Sequence, residues 1–205
     1  RSNRTTELVK ELGRKGHDVT LYAVLGKYDY SDFEKEFQVK VKNIPLSFQI
    51  HPYNSDGDGK RNIIDKILGK LFKKLLEFPN IEFMIKVPKI LKREKDIDLL
   101  ISIADPHQLH WGCAKAKKKN PNSFPKKWVA DCGDPFMLNG LNNLHYSYFS
   151  KYEKLFCTYC DYITVPVEEA KSGYYPEFKH KIKSRGNPPR GRGEGRHTPP
   201  GHGPV

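Results

Sequence analysis

The sequence predicts an α/β protein built on a Rossmann-like, doubly wound parallel sheet that lacks its first strand. Three observations carry this. Helical and strand-like segments alternate along most of the chain. The strands read as short apolar runs, the pattern of buried strands. A helix also feeds the first of these strands through a Gly-rich turn, as in the second half of a βαβ unit.

Residues 4–15 form the opening helix, with Leu8, Val9 and Leu12 as its apolar stripe and Gly13 and Gly16 closing it. His17 and Asp18 turn the chain into the strand Val19–Ala23. The strand that should precede this helix, with its loop, is expected before Arg1. Residues 39–44 read as a strand, and residues 61–78 and 81–93 as helices. Residues 97–104 are a strongly apolar strand, interrupted only by Asp98, and residues 111–119 a helix. A short strand follows at 127–132, then a helix at 146–160, a strand at Tyr162–Val165 and a last helix at 167–175. No internal repeat is present.

The chain of 205 residues is 37% hydrophobic and 12% aromatic, which supports one domain with a core over residues 1–183. From Ser184 to Val205 the composition shifts to Gly, Pro and Arg, with no aliphatic residue before Val205. Such a segment buries no apolar surface and is expected to be disordered. Its composition suits translation of GC-rich DNA in a shifted frame. Lys and Arg number 36 against 24 Asp and Glu, a net charge of +12 that favours an anionic partner. No apolar run approaches the ~20 residues of a membrane-spanning helix, and no secretory signal opens the chain. Cys113, Cys132, Cys157 and Cys160 show no disulfide framework, which points to a reducing cytoplasmic compartment.

In open α/β sheets, ligands bind outside the carboxyl ends of the strands. Asp105, His107 and His110 follow one strand there, just ahead of a helix; Asp131 and Asp134 follow the next. The acids have two readings. They orient a sugar hydroxyl or act as a base, or they serve turn and capping chemistry. The histidines are ligand contacts or surface loop residues. Cys157 and Cys160 form a single CxxC with no second pair, and Cys113 and Cys132 lack ligand spacing. No metal site is expected, and the CxxC is read as packing. Glu168 and Glu169 suit the first turn of a helix.

The runs ISIADPHQLHWG, WVADCGDPF and YEKLFCTYCDYITVPVEEAKSGY, with the opening RTTELVKELGRKGHDVTLYA, resemble the N-terminal domain of the family-four glycosyltransferases. These are retaining enzymes of the GT-B fold, in which two Rossmann-like domains face each other across a cleft. The likeness spans residues 4–183. It implies transfer of a sugar from a nucleotide-sugar donor, with no cofactor, to a glycan or lipid-linked acceptor in cell-surface polysaccharide or glycolipid synthesis. The N-terminal domain holds the acceptor; the donor site lies mostly in a C-terminal domain. His107 is the candidate to approach the transferred sugar, with His110 as the fallback. Asp105, His110, Asp131, Asp134 and Arg4 form the candidate substrate-binding set. Without the second domain, the chain alone is expected to be inactive.

The helix at 61–78 carries a broad apolar stripe, with Lys66, Lys70, Lys73 and Lys74 off it or at its rim. Such a helix either packs on the sheet with a solvated lysine face or lies on an anionic bilayer. Lipid-linked acceptors pull toward the second reading, a peripheral protein on the inner face of the plasma membrane. The alternative function is a basic nucleic-acid-binding α/β protein with an Arg-Gly tail. Its basic residues are scattered and no RNA-binding signature is present, so nucleic acid is not the expected partner.

Overall fold

The structure, a computed structural model, describes residues 2–47, 75–137 and 146–186. Lys66, Lys70, Lys73 and Lys74 lie outside the described residues, as does the tail beyond residue 186. The protein is α/β, and among the described residues all paired strands are parallel, in two sheets, consistent with the Rossmann-like class.

Helix α1 (Ser2–Arg14) leads into β1 (Val19–Ala23). Gly16 makes the turn at φ +80, where an L side chain is strained. A short helix α2 (Ser31–Phe37) and strand β2 (Val39–Asn43) follow. β2 pairs parallel with β1, Val19 opposite Val39 and Ala23 opposite Asn43. Val9, Phe37 and Val39 form a small core beneath α1. α1 lies so close to the end of α2 that a Cβ on Gly13 would stand 2.1 Å from the Phe37 carbonyl oxygen.

The second sheet is larger. After a 3-10 turn at Asn80–Glu82 come α3 (Phe83–Leu91), β3 (Leu99–Ile103), α4 (Gln108–Lys119), β4 (Lys127–Asp131), α5 (Ser150–Tyr159), β5 (Tyr162–Val165) and β6 (Ile182–Ser184). The order is β3-β4-β5-β6, and the register aligns Ile103 with Asp131 and Asp131 with Thr164. Trp111, Trp128, Phe149, Phe156 and Ile163 fill the main core with no measurable exposure or nearly none. No strand among the described residues joins β1 to β3. Side chains bridge the sheets instead. The Tyr22 hydroxyl and Lys42 ammonium both reach Glu94, and Arg4 reaches Asp131.

Three expectations change. The segment 167–175 is not a helix: a 3-10 turn spans Glu168–Gly173 and another begins at Pro176, because Gly173 and Pro176 interrupt any longer run. The strand Val19–Ala23 is half-buried along its length rather than buried. Helix α4 starts at Gln108 rather than at Trp111, which moves His110 out of the loop and into the first helical turn.

Candidate functional site

The site grows from the last residue of β4. The Asp131 carboxylate, 6% exposed, accepts the Thr164 hydroxyl at 2.6 Å from β5. Its other oxygen pairs with Arg4 on α1 at 2.9 Å, and Arg185, just past β6, approaches at 3.4 Å. Its main-chain carbonyl accepts the Ala104 N–H at 2.9 Å. Asp131 therefore organises the strand ends and presents the Arg4 guanidinium.

The next few residues form the loop that carries Asp134. Glu153, in the first turn of α5 and 1% exposed, anchors this loop. One carboxylate oxygen accepts the Phe136 N–H at 2.7 Å and the Met137 N–H at 3.3 Å; the other accepts the Tyr175 hydroxyl at 3.1 Å. The helix N-terminus favours the negative charge. The loop closes one wall of a cavity of about 460 Å³ at the carboxyl ends of β3 and β4. Arg4, Glu77, Asp105, His107, Asp134 and Phe136 line it. Three carboxylates against one guanidinium make it an acidic cavity with an apolar ring in its wall.

The histidines part company. His107 lines this cavity, 8% exposed, with its ring 5.4 Å from that of Phe136. His110 is fully buried beneath it. The His110 Nδ1 lies 2.7 Å from the Ser102 Oγ, which also accepts the Trp128 indole N–H at 2.7 Å. On its other side, Nε2 lies 3.4 Å from the Cys132 Sγ. Burial first, and then His107, hold His110 well below the ordinary imidazole value of 6.5, so the ring is neutral. Burial likewise pushes the Cys132 thiol far above its ordinary value, so it keeps its proton. The ligand-capable atoms of His107, His110 and Cys132 all lie within 4.8 Å of one another.

Of the expected site residues, the structure brings Arg4, Asp105, His107 and Asp134 to one cavity. Asp131 stands behind Arg4. His110 is a core residue and does not line the cavity. No side-chain cap bond closes the start of α4. Sequence reading missed Glu153, which looked like one more acid on an amphipathic helix. It also missed Lys181, whose ammonium caps α5 by donating to the carbonyls of Cys157, Thr158 and Cys160 at 3.0, 2.7 and 2.9 Å. Cys157 and Cys160 are buried free thiols in the main core, in keeping with packing. No helix among the described residues is long and apolar enough to cross a membrane. Comparisons with protein-family models, curated proteins and solved structures find no match for this chain.

Proposed function

We propose that this chain is the acceptor-side domain of a retaining glycosyltransferase that uses a nucleotide-sugar donor. The observation that carries the reading is the cavity at the strand ends, lined by three carboxylates, an imidazole and a phenyl ring. Ionised carboxylates are pure acceptors, matched to the hydroxyls of a sugar. Their charge repels phosphate, so the cavity suits the acceptor and leaves the donor diphosphate to a second domain.

In this reading Asp134 and Asp105 hold acceptor hydroxyls, while Phe136 packs on an apolar sugar face. His107, at the cavity wall, approaches the sugar being transferred. Arg4, held by Asp131, lines the same cavity and donates to an acceptor hydroxyl. Rate comes mainly from alignment within a closed cleft, with charge developing on the leaving diphosphate met by the second domain. The acceptor is a glycan or a lipid-linked sugar. With the latter, the lysines at 66, 70, 73 and 74 would hold the protein to the cytoplasmic face of an anionic membrane.

The test is a transfer and donor-hydrolysis assay on the two-domain protein that this reading requires, across a panel of nucleotide sugars. His107→Ala is expected to lower kcat more than it raises KM for the acceptor, and Asp134→Asn to act mainly on KM. Silence across the panel, with tight salt-sensitive RNA binding by residues 4–183, would favour the nucleic-acid alternative.

A further inference from the structure

We propose that His107, His110 and Cys132 form a zinc site that leaves one coordination position exchangeable. This inference stands independently of the transferase reading. Its first support is convergence: one atom from each of three buried side chains falls within 4.8 Å of the others. The residues come from two adjacent elements. His107 and His110 are three apart at the start of α4 and share a face. Cys132 directly follows β4, 22 residues from His110, so linear spacing gave no sign of the site.

One edge of the cluster already matches the ion. Zinc holds imidazole nitrogen at about 2.0–2.1 Å and thiolate sulfur at about 2.3 Å in a tetrahedron, which sets the N···S edge at about 3.5 Å. His110 Nε2 and Cys132 Sγ are 3.4 Å apart. The surroundings suit it too. A metal-bound imidazole has its other nitrogen fixed by a hydrogen bond. In His110 that nitrogen is held by Ser102, itself fixed by the Trp128 indole. The Phe156 ring packs 5.1 Å from the His110 ring and 6.5 Å from that of His107, which restricts both.

The donor set selects the metal. Two imidazoles and a sulfur favour zinc over magnesium or calcium, which take oxygen. Three protein donors leave a fourth position. His107 is the one of the three that also lines the cavity, and the fourth position would take water or a ligand oxygen. On binding, the Cys132 S–H bond breaks, the S–Zn bond forms, and the proton passes to solvent. The centre then carries one net positive charge, which Glu77, Asp105 and Asp134 around the cavity offset.

The experiment titrates the chelator-stripped protein with Co²⁺ and follows its absorption. One equivalent is expected to bind, giving a thiolate-to-cobalt charge-transfer band and the intense visible bands of a four-coordinate ion. Zn²⁺ should displace it and Mg²⁺ should not. Cys132→Ser should abolish the charge-transfer band, and His107→Ala should weaken Co²⁺ binding tenfold or more. Cys157→Ala should leave the spectrum unchanged, which separates this site from the CxxC. If Cys132→Ser does not fold, the wild-type band and its response to His107→Ala and Cys157→Ala decide. Absence of the band in the wild type, its persistence in folded Cys132→Ser, its insensitivity to His107→Ala, or its loss in Cys157→Ala would each overturn the proposal.

Discussion

Replacing Glu153 probes the support of the loop after β4 directly. Glu153→Ala removes the acceptor for the Phe136 N–H at 2.7 Å, the Met137 N–H at 3.3 Å and the Tyr175 hydroxyl at 3.1 Å. A hydrogen bond to a charged group contributes about 1.5–3 kcal/mol, and a buried donor left alone costs about 1–3 kcal/mol. The Phe136 bond is the short one and sets the scale. The Met137 bond is long, and the half-buried Tyr175 has access to water. The sum is about 3–4 kcal/mol for Glu153→Ala. Glu153→Gln keeps a carbonyl oxygen for Phe136, and the Tyr175 hydroxyl can turn to accept from the new amide. It is expected to cost about 1–2 kcal/mol, the charged part of the same bonds. Urea unfolding measures both, with the midpoint falling and the slope unchanged. At a slope of about 2 kcal/mol/M, the alanine midpoint falls by about 1.5–2 M. A loss below about 1 kcal/mol for alanine, or equal losses for both variants, would refute the claim that this carboxylate holds the loop.

Three further outcomes follow from packing and charge. Gly112→Ala gains about 1 kcal/mol of helix propensity, yet its Cβ would stand 2.6 Å from the Phe83 carbonyl oxygen and 2.8 Å from the Val87 Cβ. It is expected to lower Tm, by overpacking worth about 1–3 kcal/mol; a raised Tm would show that α3 and α4 are not so close. Burial pushes the Asp161 carboxyl up, but the Trp128 N–H at 2.8 Å and the lysines at 117 and 127 outweigh it and leave it below its ordinary 3.8. Its contribution is therefore present above that value and lost as pH falls through and below it. Asp161→Asn is expected to destabilise at neutral pH and to show a shallower acid loss than the parent in urea midpoints taken across that range. Lys181→Met removes three bonds at the end of α5 and is expected to cost about 1–2 kcal/mol in urea unfolding, with amide exchange fastest in the last turn of α5.

Much of the fold was legible because the strands are apolar runs set between turn residues. Val19–Ala23 and Tyr162–Val165 were bounded to the residue. Helix α2 was not read, because SDFEKEF is only seven residues long and has just two apolar positions, Phe33 and Phe37. His107 and Asp134 were picked out because they follow the carboxyl ends of β3 and β4, and both line the cavity there. The direction of His110 was not legible, since it depends on where α4 begins. A start at Gln108 turns it onto the face with Trp111 and Ala114, which are fully buried. Glu153 and Lys181 owe their roles to distant backbone groups, which no local spacing encodes.

The end of β4 shows why the cavity and the core beneath it cannot vary independently. Successive side chains of a strand point to opposite faces. Asp131 engages Arg4, Thr164 and Arg185, while Cys132 meets His110 in the core. Asp134, two residues further, reaches the cavity on a loop that Glu153 holds. A substitution at Cys132 thus acts on the seat of α4, and through it on His107. A substitution at Asp131 acts on Arg4, at a different wall. The two should be separable. Asp131→Asn keeps a carbonyl oxygen for Thr164 but weakens the hold on Arg4, so it should leave the surroundings of His110 unchanged. Imidazole NMR signals of His107 and His110 report this directly. Equal disturbance of both rings by Asp131→Asn would mean that the strand end moves as one piece, and that the division of labour read from its pleat does not hold.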